Sequence, residues 1–365
     1  MTASPAWTDA DRLAMTRALV LAERGLFTTD PNPRVGCVLM RDGERVGEGW
    51  HERAGGPHAE AAALAMAGAR ARGATAYVTL DPCNHHGRTP PCSLALIEAG
   101  VVRVVSAVGD TNPEAGGGLA RLAAAGVEVC SGLMMDAARA LNAGFLRRMS
   151  GGLPWVRVKL AMSLDGHTAL ANGASRWITG EAARADVQQF RARSSAILTG
   201  AGTVLADDPR LDVRLPGTWR QPLRVVLDSA LRMPPAARLL DGEGHVLVIG
   251  SAGEPQREAA LRASGAQVQI LPGGERPDLR AVLEHLAARG CNEVWVECGP
   301  RLASAFVAQG LFDELIVYVA PALLGGGARP LLDLPAITDL AQRWPLRFVD
   351  ARSVGDDLRL TAVRG

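Results

Sequence analysis

Hydrophobic and polar residues repeat with two different periods along the first 150 residues. Apolar residues recur every three or four positions in some segments, which is the spacing of helices with one buried face. Other segments are short apolar runs bounded by turn residues, as in buried strands. The predicted helices are 10–24, 59–72 and 93–100. The predicted strands are 34–40, 45–50, 76–80 and 101–108. Strands that alternate with helices predict an α/β layer sandwich.

The second half of the chain shows the same alternation. The predicted strands are 156–161, 196–199, 224–227, 245–249, 267–270, 293–297 and 314–319. The predicted helices are 182–193, 277–289 and 301–310. Between the halves, Ser150-Gly151-Gly152-Leu153-Pro154 combines two glycines with a proline, which disfavours both helix and strand. We therefore predict domains at 1–149 and 155–365, joined by a linker at 150–154.

Length and composition agree with two folded domains. The chain has 365 residues, of which 48% are hydrophobic and 21% charged. The formal net charge of +1 gives no bulk attraction to nucleic acid or to a membrane surface. No apolar run is long enough to span a bilayer, and the first residues do not resemble a secretory signal. Six cysteines spread over a long chain indicate reduced thiols, so we expect a cytoplasmic protein.

The densest chemistry lies in the segment Asp81–Cys92, which reads DPCNHHGRTPPC. Zinc binds thiolates and neutral imidazoles, with three protein ligands when one position is left for a reacting water. Cys83 and Cys92 are the best sulfur pair, because a helix that begins near Cys92 would favour its thiolate. Upstream, His58 and Glu60 open the predicted alanine-rich helix. At a helix start, His58 can bind the metal while Glu60 reaches a water on it.

This arrangement is close to the pattern of zinc deaminases, in which a His-x-Glu precedes two cysteines. The cysteines here are eight residues apart rather than two, so the generic pattern is met only in part. Separately, each element has an ordinary explanation in packing or helix capping; together and in order, they favour zinc. We predict that His85 and His86 are not ligands. Their loop either lines a substrate pocket, with Arg88 or a histidine touching the substrate, or is a solvated loop.

Several motifs in the two halves resemble one family. This family comprises the bifunctional diaminohydroxyphosphoribosylaminopyrimidine deaminase/5-amino-6-(5-phosphoribosylamino)uracil reductases of riboflavin biosynthesis. Its deaminase motif is close to PCSHHGRTPPC, with Asn84 standing here in place of the usual serine. The matching segments of the first half are 31–36, 54–60, 81–92, 110–113 and 116–118. Those of the second half are 159–166, 175–179, 196–200, 203–209 and 296–300.

For the first half, the resemblance implies a cytidine-deaminase-like three-layer sandwich that binds Zn²⁺. His58, Cys83 and Cys92 would be the metal ligands, and Glu60 would carry the proton in the hydrolytic loss of ammonia from the pyrimidine. The implied substrate is 2,5-diamino-6-(5-phosphoribosylamino)pyrimidin-4(3H)-one. Asn32 lies where the family's loop approaches the pyrimidine, so its amide either reads the ring or simply forms an Asn-Pro turn.

For the second half, the resemblance implies a dihydrofolate-reductase-like domain that uses NADPH to reduce the ribosyl group to a ribityl chain. The glycine turn at 199–203 lacks the third glycine of a dinucleotide-binding fingerprint, so that motif is weak on its own. The residues implied for NADPH are Ala161, Trp177, Thr203, Asp207, Ser229, Gly299, Pro300, Arg301, Leu302, Ala303, Ser304 and Ala305. Those implied for the phosphorylated substrate are Ser175, Arg191, Leu211, Arg214 and Glu297.

Lys159 is the only lysine in the chain and lies on the strand that leads to the 159–166 motif. We expect it near the nicotinamide, where a lysine can stabilise charge or relay a proton. The resemblance also implies self-association through the reductase domain. Three alternatives remain open: an enzyme with only one working domain, a zinc-stabilised binding protein without catalysis, and a nucleic-acid deaminase. The near-neutral charge disfavours the last of these.

Overall fold

The computed structural model describes residues 7–85, 90–112, 114, 116–217, 220–271 and 274–365. The chain divides into two compact units, Met1–Gly152 and Leu153–Gly365. The division lies within the segment predicted as a linker, yet the linker is shorter than predicted, because a helix continues to Gly151. Gly152 then takes a left-handed backbone conformation and caps that helix, so the two glycines end a helix rather than form a flexible connection.

The first unit is built on a mixed five-stranded sheet. Its strands are β1 Gly36–Arg41, β2 Glu44–Trp50, β3 Thr75–Val78, β4 Arg103–Ser106 and β5 Glu128–Ser131. They lie in the order β2-β1-β3-β4-β5. β1 is antiparallel to both β2 and β3, while β3, β4 and β5 are parallel. The predicted hairpin is therefore present, with Asp42 and Gly43 in the left-handed region between its strands.

Helices cover both faces of this sheet. They are α1 Asp9–Glu23, α2 Ala59–Ala67, α3 Cys92–Glu98, α4 Gly118–Ala124, α5 Met135–Leu141 and α6 Ala143–Gly151. Cys37 and Leu39 of β1 face α2, α3 and α4, whereas Val38 between them faces α1, α5 and α6. This alternation of side chains along β1 produces the three-layer sandwich that the family resemblance implies.

The second unit contains a nine-stranded sheet and a two-stranded ribbon. Its first strands are β6 Trp155–Ser163, β7 His167–Ala169, β8 Ala196–Gly200, β9 Leu223–Leu227, β10 Val246–Gly250 and β11 Gln267–Ile270. Those that follow are β12 Glu293–Glu297, β13 Glu314–Ala320, β14 Arg329–Pro330, β15 Leu346–Val354 and β16 Asp357–Arg364. The large sheet has the order β11-β10-β9-β8-β12-β6-β13-β16-β15, and β7 pairs with β14. In this order, the first seven strands, β11 through to β13, are parallel to their neighbours. β16 is antiparallel to β13, and β15 is antiparallel to β16.

Helices again lie on both faces. They are α7 Glu181–Arg193, α8 Ala201–Asp207, α9 Pro255–Ala263, α10 Leu279–Ala288 and α11 Pro300–Ala308. One face packs against α10 and α11 through residues such as Val158 and Val296. The opposite face packs against α7 through Trp295 and Tyr318, and against α8 and α9 through Val226. The prediction of a glycine turn at 199–203 is wrong in part, because Ala201 and Gly202 already belong to α8.

No helix among the described residues is long and apolar enough to cross a membrane.

Candidate active sites

Three side chains that can bind a metal converge in the first unit. His58 is the N-cap residue of α2, Cys92 is the first residue of α3, and Cys83 lies in the segment that follows β3. Their ligand atoms all lie within 4.8 Å of one another, and within the described residues no other group of three such side chains does so. The helix beginnings after Pro57 and Pro91 therefore bring together residues that are 34 positions apart in the chain.

The distances within this cluster fit a single zinc ion. Nδ1 of His58 lies 3.3 Å from Sγ of Cys92 and 3.6 Å from Sγ of Cys83. Zinc bonds of about 2.3 Å to sulfur and about 2.05 Å to nitrogen, at tetrahedral angles, place the two atoms about 3.6 Å apart. Both thiols are buried. Three protein ligands leave one tetrahedral position for a reacting molecule, as in catalytic rather than structural zinc sites.

The two thiols differ in how readily they lose a proton. The hydrogen bond from the Cys92 thiol lowers the pKa of Cys83 well below its usual value, and the same pairing raises the pKa of Cys92. The backbone N–H of Cys92 also donates to Sγ of Cys83 over 3.4 Å. Cys83 is therefore the thiol that loses its proton more readily, and the thiolate is the form that binds metals.

Glu60 lies in the first turn of α2, and its side chain is buried beside this cluster. Burial raises the pKa of its carboxyl to about 7, and the carboxyl contacts the Cys92 thiol. A carboxyl group with a pKa near neutrality can both accept and return a proton. His58 and Glu60 thus meet the same site despite being only two residues apart, because His58 stands at the N-cap rather than on the helix surface.

The segment that carries Cys83 is held by its neighbours. The side-chain oxygen of Asn84 accepts hydrogen bonds from Ser93 at 3.2 Å and from Arg121 at 3.1 Å. Gly118, at the start of α4, packs so closely on the Pro82 carbonyl that a Cβ would overlap it. Asn84 therefore links the metal-binding segment to both α3 and α4.

Asn32 lies next to a residue that we did not predict to belong to the site, His51. Its Nδ2 is 3.1 Å from Nε2 of His51, and Nδ1 of His51 is 2.9 Å from the Pro57 carbonyl oxygen. His51 directly follows β2 and is only 3% exposed. Its position just before the 54–60 motif was the available signal.

His85 is exposed, while His86 and Arg88 lie outside the described residues, so the two interpretations of their loop remain open.

In the second unit, two helices begin at the carboxyl ends of the neighbouring parallel strands β8 and β12. Their N-cap residues, Gly200 and Gly299, leave the first N–H groups without a side-chain cap. The two turns are adjacent, because a Cβ on Gly200 would lie 3.4 Å from the Leu302 side chain. Helix starts of this kind suit a pyrophosphate. Within the predicted segment 299–305, Ala303 and Ser304 are buried, and the most exposed residues lie at the first turn of α11.

The other predicted NADPH residues lie around the same strand ends. Trp177 is 70% exposed and has the Arg184 guanidinium 4.6 Å from its ring centroid. Asp207 ends α8 and holds Arg176 through both its backbone and its side-chain oxygens. Thr203 is in α8, Ser229 follows β9 and Ala161 is in β6, and all three are partly buried. The residues present therefore fit a nucleotide with an aromatic surface, backbone donors and nearby hydroxyl groups.

The buried Arg191 and the partly buried Glu297 form an ion pair. The guanidinium donates from Nε and Nη2 to the two carboxylate oxygens, at 2.6 and 2.8 Å. The indole N–H of Trp295 donates to the same carboxylate over 2.7 Å. Although burial alone would raise it, the pKa of Glu297 is lowered to about 2 by Arg191 and by the nearby Lys159 ammonium. Burial lowers the pKa of Lys159 itself.

Arg214 and Arg191 are brought together by Asp212. Arg191 donates to the backbone oxygen of Asp212 at 2.9 Å, and Arg214 pairs with its carboxylate. All three guanidinium nitrogens of Arg191 thus donate hydrogen bonds to protein oxygens, while the Arg214 side chain is 56% exposed.

Leu211 is fully buried in the hydrophobic cluster with Trp295, and Ser175 is partly buried before α7. Asp212 and Trp295 were not predicted, and their signal was their position beside Leu211 and Glu297.

Two family models match the chain, one in each half. The cytidine and deoxycytidylate deaminase zinc-binding region matches residues 8–108. The RibD C-terminal domain matches residues 154–360. The riboflavin biosynthesis protein RibD of Escherichia coli K12 is 49% identical over 97% of this chain and 99% of its own length. The chain belongs to the RibD family. Its fold and enzymatic class follow: a zinc-binding deaminase domain and a reductase domain of riboflavin biosynthesis on one chain.

Other members of the RibD family agree over the full length. The RibD protein of Haemophilus influenzae is 48% identical over 97% of this chain and 98% of its own length. The solved structure of Acinetobacter baumannii RibD, form 1, has a TM-score of 0.91 at 44% identity, covering 98% of this chain and 99% of that one. The solved structure of a diaminohydroxyphosphoribosylaminopyrimidine deaminase/5-amino-6-(5-phosphoribosylamino)uracil reductase from Thermotoga maritima has a TM-score of 0.87 at 31% identity, covering 98% of this chain and 99% of that one.

Proposed function

We propose that this RibD-family enzyme carries out two consecutive steps of riboflavin biosynthesis. It first deaminates 2,5-diamino-6-(5-phosphoribosylamino)pyrimidin-4(3H)-one and then reduces the ribosyl group of the product to a ribityl chain with NADPH. The observation that carries the proposal is the convergence of His58, Cys83 and Cys92 beside the buried Glu60, in a chain that also contains the RibD C-terminal domain.

In the deaminase domain, His58, Cys83 and Cys92 would hold a zinc ion, which would supply an activated water as the nucleophile. Glu60 would accept a proton on its carboxylate and deliver it to the departing amino nitrogen, so that the C–N bond breaks as a C–O bond replaces it and ammonia leaves. Its raised pKa suits this exchange, since the same group must accept and then donate a proton. Asn32 contacts the edge of the pyrimidine.

In the reductase domain, the first turns of α8 and α11 and the residues around them would hold NADPH, which would supply a hydride to C1 of the sugar. Helix N-termini favour the negative pyrophosphate. The ring of Trp177 offers a flat surface for the cofactor. The proposed NADPH residues are Ala161, Trp177, Thr203, Asp207, Ser229 and residues 299–305.

The substrate binds beside the ion pair of Arg191 and Glu297. Arg214 is the exposed guanidinium here and suits the phosphate, with Arg191 behind it. Glu297 is an anion at neutral pH and holds polar groups of the substrate, together with Lys159. Ser175 and Leu211 complete the set, the first as a hydroxyl partner and the second as an apolar support.

We further propose a cytoplasmic homo-oligomer, with the predicted deaminase domain extended from residue 149 to the end of α6 at Gly151 and the reductase domain at 155–365. Reduced cysteines throughout the described residues support the cytoplasm. An edge strand with exposed apolar side chains, β15, supports self-association through the reductase domain.

The test is mass spectrometry of the diaminopyrimidinone ribosyl phosphate incubated with the purified zinc-loaded protein, with and without NADPH. We expect loss of ammonia in both reactions and reduction of the sugar only when NADPH is present. Deamination without reduction would contradict the role given to the second domain. No reaction by protein shown to contain zinc would overturn the proposal and favour a zinc-stabilised binding protein.

A further inference from the structure

His51 makes two hydrogen bonds that determine its protonation pattern. Nδ1 lies 2.9 Å from the Pro57 carbonyl oxygen, and Nε2 lies 3.1 Å from the amide nitrogen of Asn32. A carbonyl oxygen only accepts, so Nδ1 carries the hydrogen. A neutral imidazole has one donor and one acceptor, so Nε2 accepts from Asn32.

This bond also determines the orientation of the Asn32 amide. Its nitrogen faces His51, so its oxygen faces away from the ring. Among the described residues, no side chain or backbone group donates to that oxygen. The amide group is therefore held at one end by the protein and is left with a free acceptor at the other.

His51 connects this acceptor to the metal-binding residues. Its ring meets the His58 ring edge to face, with centroids 5.5 Å apart. The carbonyl that it holds belongs to Pro57, which directly precedes His58. One buried ring thus places Asn32 and His58 relative to each other.

We propose that His51 is a positioning residue that fixes the Asn32 amide with its oxygen toward the bound pyrimidine, so that the deaminase site selects a ring edge that donates hydrogen bonds. The proposal rests on the deaminase function proposed above. Deamination replaces an amino group, which donates, by a carbonyl, which accepts. An oxygen acceptor therefore favours the aminopyrimidinone over the deaminated product, since an acceptor facing an acceptor leaves both without a hydrogen.

The test compares four variants: His51→Phe, Asn32→Leu, the double variant, and His51→Gln. Phenylalanine keeps the ring against His58 but removes both hydrogen bonds, whereas glutamine keeps an acceptor and a donor. For each variant, we would measure zinc content, kcat and KM for deamination, and the inhibition constant of the deaminated product without NADPH. NADPH-dependent reduction of that product, added directly, serves as the internal control of folding.

We expect His51→Phe to retain zinc and reduction but to raise the KM for deamination about tenfold, the effect of one lost hydrogen bond. The ratio of the product inhibition constant to KM should fall by a similar factor, because a freely rotating amide can also offer its N–H groups to the product. Asn32→Leu should raise KM by a comparable factor, and the double variant should be no worse than Asn32→Leu alone. His51→Gln should recover most of the selectivity.

Additive losses in the double variant would overturn the proposal, because His51 would then act independently of Asn32. An unchanged selectivity ratio in His51→Phe would do the same. Loss of zinc in His51→Phe would assign His51 to support of His58 instead. Failure of the proposed deaminase function would be seen separately, as absence of deamination by the unmodified zinc-loaded protein.

Discussion

Two glutamates show how single residues acquire different chemistry. Burial raises the pKa of Glu60 to about 7, because it outweighs the opposing effects of a backbone hydrogen bond and of His58. Glu297 is partly buried, yet its pKa is about 2, because Arg191 and Lys159 favour the carboxylate. Glu60 is therefore suited to proton transfer, and Glu297 to holding a charge in place.

At the residue scale, Glu60→Gln tests the proton transfer directly. The glutamine side chain has the size and reach of glutamate and can still form hydrogen bonds, but its amide cannot accept a proton. We expect deamination to fall by a factor of about 10² to 10⁴, with zinc content and NADPH-dependent reduction unchanged. Glu23→Gln, at the exposed end of α1, is the matched control and should leave both reactions intact. Retention of deamination in Glu60→Gln would remove Glu60 from the mechanism.

Glu297→Gln tests the ion pair with Arg191. The substitution leaves a buried guanidinium without its anion, so the free energy of unfolding of the reductase domain should fall by about 3 kcal/mol. Denaturant unfolding of the full chain, followed by a signal from the reductase domain, measures this loss. The same substitution at Glu258, which pairs with Arg262 on the surface, should cost less than about 1 kcal/mol.

The stability that the Glu297 carboxylate gives to the reductase domain should depend on pH in a defined direction. Its folded-state pKa of about 2 is below that of an unfolded glutamate, about 4.3. The carboxylate therefore stabilises the fold fully above about pH 4.3, and this stabilisation is lost as the pH falls toward 2. The difference in the free energy of unfolding between wild type and Glu297→Gln should be constant near neutral pH and should become smaller in acid. A difference that grew on acidification would contradict the assigned pKa.

At the scale of elements, the deaminase site depends on how closely α2 lies on β2. A Cβ on Gly49 would be 2.6 Å from the Ala62 Cβ and 2.7 Å from the Ala63 backbone nitrogen. Gly49→Ala should therefore push α2 away from β2. We expect the free energy of unfolding of the first unit to fall by about 1 to 3 kcal/mol and the zinc affinity to fall as well. Gly151→Ala, with open space around its Cβ position, should be neutral in both measurements. Equal zinc affinity in both variants would show that α2 tolerates the shift.

Buried, strongly periodic elements could be predicted from the sequence, whereas short or exposed ones could not. The strand at 293–297 was predicted to the residue, because it is a continuous apolar run between polar ends. By contrast, β15 was missed, since it is an edge strand with mostly exposed side chains and no apolar alternation. α8 was taken for a turn because of Gly200 and Gly202. The helix predicted over 59–72 ends as α-helix at Ala67, where Gly68 takes a positive φ.

Site residues could be predicted from the sequence where several residues of the right chemistry occur together in a motif. His58, Cys83 and Cys92 could be predicted as a set of metal ligands from the order of their motifs and from ligand chemistry. The roles of His51 and Trp295 could not be predicted, because a histidine just after a strand or a tryptophan within one is usually part of the core. Their roles depend on which atom meets which partner, and that information exists only once the strands and loops are packed.

At the scale of the whole molecule, the remaining question is what covers β15. It is the last strand of the large sheet, so among the described residues no strand pairs with the backbone groups along one of its sides. Leu346, Phe348 and Val349 are 46%, 65% and 47% exposed. Exposed edge strands with apolar side chains tend to pair with another chain, and most such assemblies are symmetric copies of one protein.

We therefore expect Phe348→Asp to lower the molar mass of the particle in size-exclusion chromatography with light scattering, since a buried charge at an interface between two copies is costly. The substituted side chain is on the surface of the single chain, so folding should be preserved. Leu13→Asp is the control: Leu13 is 72% exposed on α1, in the other unit, and its substitution should leave the mass unchanged. If the wild-type protein is monomeric, or if Phe348→Asp elutes with the wild-type mass, then β15 is an exposed edge and the copies do not meet there.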